Sequence, residues 1–142
     1  MLITRWIDYG NRIMVLLGLT PDKWVSAREL SDSCGITRPA ALRLIRQLAQ
    51  AGLIETRRGP GGGVKLAKPT NKIFFYDIMV ATDKRRGVNP CLTGDFSCEH
   101  NAFCATRIRL EPLQQLIDKF FKDLSLEQLV DDQKRINDNR KK

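Results

Sequence analysis

The sequence contains a single histidine, and it has neither a G-x-S-x-G motif nor a glycine-rich phosphate-binding loop. Because no recognisable nucleophile, base and acid can be assembled from it, we predict that the protein is not an enzyme. No apolar run approaches the roughly 18 residues needed to span a membrane. The opening MLITRWIDYG carries an aspartate and lacks a small-residue cleavage site, so no signal peptide is predicted. Together these absences indicate a cytoplasmic protein.

Positive charge is concentrated in one part of the chain. Residues 1–90 contain fifteen Lys and Arg against seven Asp and Glu, whereas residues 91–142 contain nine of each. The whole net charge of +8 therefore belongs to the first part. This asymmetry favours a nucleic-acid-binding module followed by a neutral module with another task. Charge alone leaves open a basic protein without a polyanionic partner.

Two predicted helices are joined by a tight turn before residue 52. In VSAREL, Ser26 can cap a helix and Glu29 can close a capping box, and Gly35 suits the position beyond the end of that short helix. Thr37 can cap the second helix, which has a proline in its first turn and carries several arginines. A tight glycine-containing turn between two helices, the more basic one second, is typical of a helix-turn-helix.

The next segment predicts a β-hairpin. LIETRR (53–58) and VKLAK (64–68) read as short strands around GPGGG, which could also be a plain flexible turn. After a basic recognition-type helix, the hairpin indicates a winged helix-turn-helix that binds double-stranded DNA. The expected DNA-binding residues lie on the two helices and the wing: Arg28, Thr37, Arg38, Pro39, Arg43, Arg57, Arg58, Gly59 and Gly61.

The predicted fold is mainly α with a small β wing, a winged helix-turn-helix followed by a long dimerisation helix. The predicted segments are a DNA-binding domain (1–82, with helices over 5–19 and 73–82), a cysteine loop (83–109), a dimerisation helix region (110–130) and a disordered tail (131–142). An apolar stripe after about Leu110 could pack on its own domain or pair with a second copy. It comprises Leu113, Leu116, Ile117, Phe120 and Leu124.

Three of the four cysteines lie in NPCLTGDFSCEHNAFC, residues 89–104. Six residues separate Cys91 from Cys98, and five separate Cys98 from Cys104. Thiolates hold zinc or iron–sulfur clusters, and both prefer four ligands. The spacing is wider than in structural zinc loops, although His100 could complete a zinc site; reduced thiols or a regulatory disulfide are the remaining alternative. Cys34, far away in the sequence, is expected to be buried.

Several stretches resemble the Rrf2 family of bacterial winged-helix transcription regulators. They are LITRWIDYG, QLAQAGLIETRRGPGGGVKL, the three-cysteine loop and DLSLEQLV, and the resemblance extends from Met1 to about Val130. It implies a homodimer that binds a palindromic operator and carries an iron–sulfur cluster on Cys91, Cys98 and Cys104.

The fourth ligand distinguishes subgroups of this family. The iron–sulfur cluster regulators (IscR-like) use a histidine three residues after the last cysteine, where this chain has Arg107. Some nitric-oxide-sensitive repressors (NsrR-like) use an aspartate of the partner's first helix, and Asp8 matches it. The resemblance therefore implies an NsrR-like repressor with a 4Fe–4S cluster rather than 2Fe–2S, sensing nitric oxide, redox state or iron. Asp8 could instead be a helix-start acid paired with Arg12. His100 matches neither subgroup.

Two other functions remain compatible with the residues. One is a zinc- or thiol-based redox repressor on the same fold. The other is a protein-interaction module in which the basic half binds an acidic protein rather than DNA.

Overall fold

Six helices and one two-stranded sheet form the part of the chain described by the computed structural model, residues 3–83, 87–93 and 97–141. In chain order the elements are α1 (Arg5–Leu19), α2 (Ala27–Cys34), α3 (Arg38–Gln50), β1 (Ile54–Arg57), β2 (Gly63–Leu66), α4 (Phe75–Thr82), α5 (Ala105–Asp123) and α6 (Leu126–Arg140). The mainly helical fold with a small wing is confirmed. None of the helices within these ranges is long and apolar enough to cross a membrane.

The helix-turn-helix forms where the capping signals predict it. The Ser26 hydroxyl accepts from the Glu29 N–H at 3.1 Å, and the Thr37 hydroxyl accepts from the Ala40 N–H at 3.4 Å. Gly35 ends α2 with φ of +64°, a conformation that costs a glycine little. Glu29 does not form the predicted capping box, because its carboxylate accepts from Lys23 Nζ at 2.6 Å instead.

The wing is a short antiparallel hairpin attached to the domain. β1 pairs with β2 in the register Ile54 opposite Leu66 and Arg57 opposite Gly63. Both strands are shorter than predicted. Val25, just before α2, exchanges backbone hydrogen bonds of 3.0 and 2.8 Å with Val64, so the wing is fixed to the helix-turn-helix.

The apolar core joins α1, the helix-turn-helix and the wing, with α6 packed along α1. The buried residues include Leu17, Leu30, Leu44, Val64, Ile78 and Leu126. A smaller cluster connects α4 to α5, where the Phe75 and Phe121 rings stack with centroids 4.7 Å apart. The predicted helix over 73–82 is thus confirmed as α4.

Helix α5 begins five residues before the predicted start near Leu110. The Cys104 side chain caps it by accepting from the Arg107 N–H at 3.5 Å. As a result Pro112 lies inside the helix rather than at its start, and it has no N–H to donate to the carbonyl of Ile108, one turn earlier.

The predicted disordered tail is wrong for most of its length, because α6 continues to Arg140. The Ser125–Gln128 capping box starts this helix, and Leu126 and Val130 are buried in the core. Gly18 of α1 has no side chain, and Val130 packs directly against its backbone: a Cβ atom on Gly18 would lie 2.5 Å from Val130 Cγ2. Residues beyond 130 are therefore ordered by a helix whose first turns are anchored in the core. Lys142, the last residue of the predicted tail, lies outside the described residues.

Candidate DNA-binding surface and thiol loop

All nine residues predicted to bind DNA are exposed. Arg38 and Pro39 form the first turn of α3, and Thr37 caps it, so these residues stand at the N-terminal end of the recognition helix. Arg28 on α2 is only weakly engaged, since its Nε atom lies 3.9 Å from the Asp32 carboxylate. The surface is therefore basic and available to a polyanion.

The side chain of Arg43 lies against an aromatic ring of another helix. Its guanidinium carbon is 4.3 Å from the centroid of Trp6 on α1. Such a cation–π contact fixes the direction of a long side chain that would otherwise sample many rotamers. Arg43 is a predicted base-contacting residue, but nothing in the sequence indicates that Trp6 lies beneath it, because helical periodicity does not reveal which helices meet.

Arg57 adds positive charge to the wing and also makes contacts that hold the wing in its conformation. The Arg57 guanidinium lies 4.5 Å from the Trp24 ring centroid and donates to the Gly61 carbonyl at 2.6 Å. A Cβ atom on Gly62 would lie 2.2 Å from the Arg57 carbonyl oxygen, so glycine is required at that close approach. Arg58 is exposed at the edge of this turn.

The three clustered cysteines are free and half-exposed. Cys91 lies in a 3-10 turn (Pro90–Leu92), Cys98 precedes a second one (Asn101–Phe103), and Cys104 caps α5. Residues 94–96, between the first two thiols, lie outside the described residues.

The chemistry of this donor set fits an iron–sulfur cluster, since three accessible thiols without disulfides are the ligands such a cluster takes. Within residues 3–83, 87–93 and 97–141, no three Cys, His, Asp or Glu side chains lie close enough to hold a single metal ion. One chain in this conformation thus does not bring Asp8 or His100 together with the thiols as an assembled site.

Asp8 lies in the first turn of α1 and pairs with Arg12, at 2.8 Å between Oδ2 and Nη2. Both side chains are about half exposed. Arg12 also donates from Nη1 to the carbonyl of Cys34 at 3.3 Å. One side chain therefore connects the candidate fourth ligand to the last residue of α2. His100 is exposed in the cysteine loop.

Cys34 differs from the loop cysteines. It is 7% exposed within the core, as predicted. Burial raises the pKa of its thiol more than the nearby Arg12 guanidinium lowers it. A neutral thiol in this position is a packing group rather than a metal ligand.

Two residues that hold the cysteine loop have no motif in the sequence. Arg107 donates from Nη1 to the Cys91 carbonyl at 3.2 Å and to Asn101 Oδ1 at 2.5 Å. Gln114, buried on α5, accepts from the Val88 N–H at 2.7 Å. Only tertiary packing places these long polar side chains against the loop.

Comparison with known proteins identifies the family. The sequence model of the Rrf2 family, described as iron-dependent transcriptional regulators, matches residues 3–132. The chain belongs to the Rrf2 family. Like the family's other members it is a transcriptional regulator, and the winged helix described above is the fold with which such regulators bind DNA.

Solved Rrf2-like structures share the whole fold. CymR of B. subtilis, described as the global cysteine regulator, has a TM-score of 0.76 at 20% identity and covers 92% of this chain and 97% of its own. IscR of T. potens has a TM-score of 0.73 at 23% identity, covering 93% and 88%. Oxidised CymR of Staphylococcus aureus has a TM-score of 0.72 at 20% identity, covering 92% and 96%. At these identities the likeness establishes the fold alone.

Proposed function

We propose that this Rrf2 protein is a cytoplasmic repressor whose operator binding is controlled by an iron–sulfur cluster on Cys91, Cys98 and Cys104. The observation that carries the proposal is that one Rrf2 chain combines an exposed arginine-rich winged helix with three free, half-exposed thiols in one loop. A bound cluster would supply iron that reacts with nitric oxide or oxidants and is lost when iron is scarce. The NsrR-like resemblance favours a 4Fe–4S cluster and nitric oxide as the signal.

The proposed DNA contacts follow from the exposed surface. The N-terminal end of α3, with Thr37 and Arg38, enters the major groove, and Arg43 follows one turn later on its Trp6 support. Arg58 at the wing reaches the adjacent minor groove or its phosphates. Arg57 keeps the wing in shape by its bond to Gly61.

The protein is proposed to act as a homodimer through α5. Of the four large apolar side chains exposed on this helix, three lie in its second half: Leu113 at 43%, Leu116 at 66% and Phe120 at 61%. They recur at intervals of three and four residues, so they share one helical face, whereas Phe121 turns into the core. A face this apolar is best covered by its own copy, and a two-fold dimer matches a palindromic operator.

Asp8 of the partner subunit is proposed as the fourth ligand. Its carboxylate is half-exposed, and its ion pair with Arg12 is a surface pair of the kind that contributes little to stability, so the carboxylate is accessible to another chain. A change at Asp8 would reach α2 through Arg12 and its bond to the Cys34 carbonyl. The same first turn carries Trp6, which supports Arg43 of the recognition helix. The first turn of α1 is thus connected to α3 directly through Trp6 and to α2 indirectly through Arg12.

Strictly anaerobic purification followed by an absorption spectrum and iron and sulfide assays tests the proposal. We expect a coloured protein with iron and sulfide, lost in Cys98→Ala but retained in the matched control Cys34→Ala, because Cys34 is buried and apart from the loop. A colourless zinc protein, or one without metal, would support the zinc- or thiol-based repressor instead. An affinity for duplex DNA that does not fall steeply with salt concentration would support the protein-interaction module.

A further inference from the structure

We propose that Arg107 and Gln114 of α5 are positioning residues that restrain the two ends of the thiol loop. The thiol loop here means residues 88–93 and 97–104. The inference depends on the proposed function only for the identity of the group that the thiols finally hold. The contacts themselves join protein atoms only and do not involve that group.

Arg107 ties together residues from both ends of the loop. Its Nη1 atom donates to the Cys91 carbonyl at 3.2 Å and to Asn101 Oδ1 at 2.5 Å, and its own backbone N–H donates to Cys104 Sγ at 3.5 Å. One residue therefore contacts two of the three candidate ligands, although thirteen positions separate them in the sequence. A guanidinium cannot ligate a metal, but its fixed donor geometry suits it to holding backbone and amide oxygens.

Gln114 fixes the start of the loop. It is only 8% exposed, and both ends of its amide are used: Oε1 accepts from the Val88 N–H at 2.7 Å, and Nε2 donates to Asp118 Oδ1 at 2.8 Å. The bond to Asp118 sets which end of the amide faces Val88. A buried amide with both ends paired is costly to displace, because its partners would be left unsatisfied. The chain three residues before Cys91 is thereby held against α5.

These contacts reduce the conformational entropy that the loop loses when it binds a ligand. Each residue of a loop loses conformational freedom when it is fixed, and restraint in advance removes part of that loss. We infer that the loop binds a soft metal more tightly with Arg107 and Gln114 than without them.

Anaerobic titration of the metal-free protein with Co²⁺ tests the inference, using the thiolate-to-cobalt absorption as the readout. We expect Arg107→Ala and Gln114→Leu each to weaken Co²⁺ binding about tenfold, from the loss of one or two hydrogen bonds that hold the loop. Arg109→Ala is the matched control: it removes the same charge two residues further along α5, where the side chain is exposed and has no partner among the described residues. It should bind like wild type.

A double-mutant cycle distinguishes positioning from charge or folding effects. Asn101→Ala, on the exposed loop, should weaken binding about fivefold by removing one acceptor of Arg107. If Asn101 acts through Arg107, the Asn101→Ala/Arg107→Ala protein binds no more weakly than Arg107→Ala alone. Multiplying effects, or equal affinities of Arg107→Ala and Arg109→Ala, would overturn the inference. Either of these two results would leave the proposed iron–sulfur cluster untested. Conversely, the expected Co²⁺ affinities together with no iron after anaerobic purification would contradict the proposed function and not this inference.

Discussion

Replacing Asp8 by alanine separates its two candidate roles. In the single chain Asp8 is a first-turn acid paired with Arg12 one turn away, with exposed fractions of 46% and 51%. An exposed pair at this spacing contributes about 0.3–0.5 kcal/mol, and the helix dipole contributes a similar amount. Asp8→Ala should therefore lower the free energy of unfolding of the metal-free protein by no more than about 1 kcal/mol. Urea unfolding monitored by circular dichroism measures this loss.

Glu29→Ala provides a matched control for the stability effect. Glu29 is also a first-turn acid, it pairs with Lys23 at 2.6 Å, and the two side chains are 43% and 55% exposed. The two substitutions should destabilise the metal-free protein to the same small extent. Any further difference between the two variants is then specific to Asp8.

The nitric-oxide response is where the variants should diverge. We expect Glu29→Ala to lose operator affinity on nitric oxide like wild type, whereas Asp8→Ala keeps the three thiols but shows an altered absorption spectrum and no such response. A carboxylate is a harder ligand than a thiolate, so Asp8→Cys should give a more robust and less responsive protein. Identical nitric-oxide titrations for Asp8→Ala and Glu29→Ala would refute the ligand role and leave Asp8 as a helix-start acid.

Three further predictions concern the wing, helix α5 and the buried Cys34. Arg58→Ala should weaken operator binding and reduce the slope of log affinity against log salt by about one for each subunit that loses a phosphate contact, measured by fluorescence anisotropy. Phe120→Glu should weaken self-association at least about tenfold in sedimentation equilibrium, because it places a charge on the exposed apolar face of α5. Gln115→Glu adds the same charge at an exposed position away from that face and should not weaken it. Because burial raises its pKa, Cys34 should react with iodoacetamide more slowly than Cys91 near neutral pH and accelerate only above the ordinary thiol range, as peptide mapping would show.

Much of the DNA-binding half could be predicted from local signals. Ser26 and Thr37 act as caps where their spacing predicts, and the glycine-rich turn forms the tip of the wing. Capping and turn formation depend on neighbouring residues only, so they can be read from a few letters of sequence. The partner of Glu29 could not, because Lys23 competes with the expected backbone N–H.

The C-terminal half required tertiary information. The start of α5 depends on Cys104 acting as a cap, which is an unusual use of a thiol. The part of helix α6 beyond Val130 was predicted to be disordered because its sequence is polar, and composition alone indicates disorder. The burial of Leu126 and Val130 in the core and the Ser125–Gln128 capping box both stabilise the first turns of this helix, and the later turns extend from them. Contacts between distant segments, rather than local propensity, decide this region.

For the candidate site, the sequence indicated the candidate residues but not the side chains that position them. Cys34 is buried and separate from the loop as predicted, and the arginines predicted to bind DNA are all exposed. The aromatic rings beneath Arg43 and Arg57 were not, and neither were the bonds from α5 to the thiol loop. Each of these contacts joins residues on different elements, so no spacing rule reveals them.

Control of DNA binding by the thiol loop is the central claim, and one comparison tests it most directly. A duplex selected from a random pool by the anaerobically purified protein is titrated, at about 0.15 M salt, with the same preparation before and after iron removal or nitric oxide treatment. We predict that the untreated protein binds at least about tenfold more tightly than either treated form, a coupling within the range usual for allosteric proteins. Cys98→Ala should bind with one weak affinity throughout. Equal affinities of the wild-type protein before and after treatment would contradict the account.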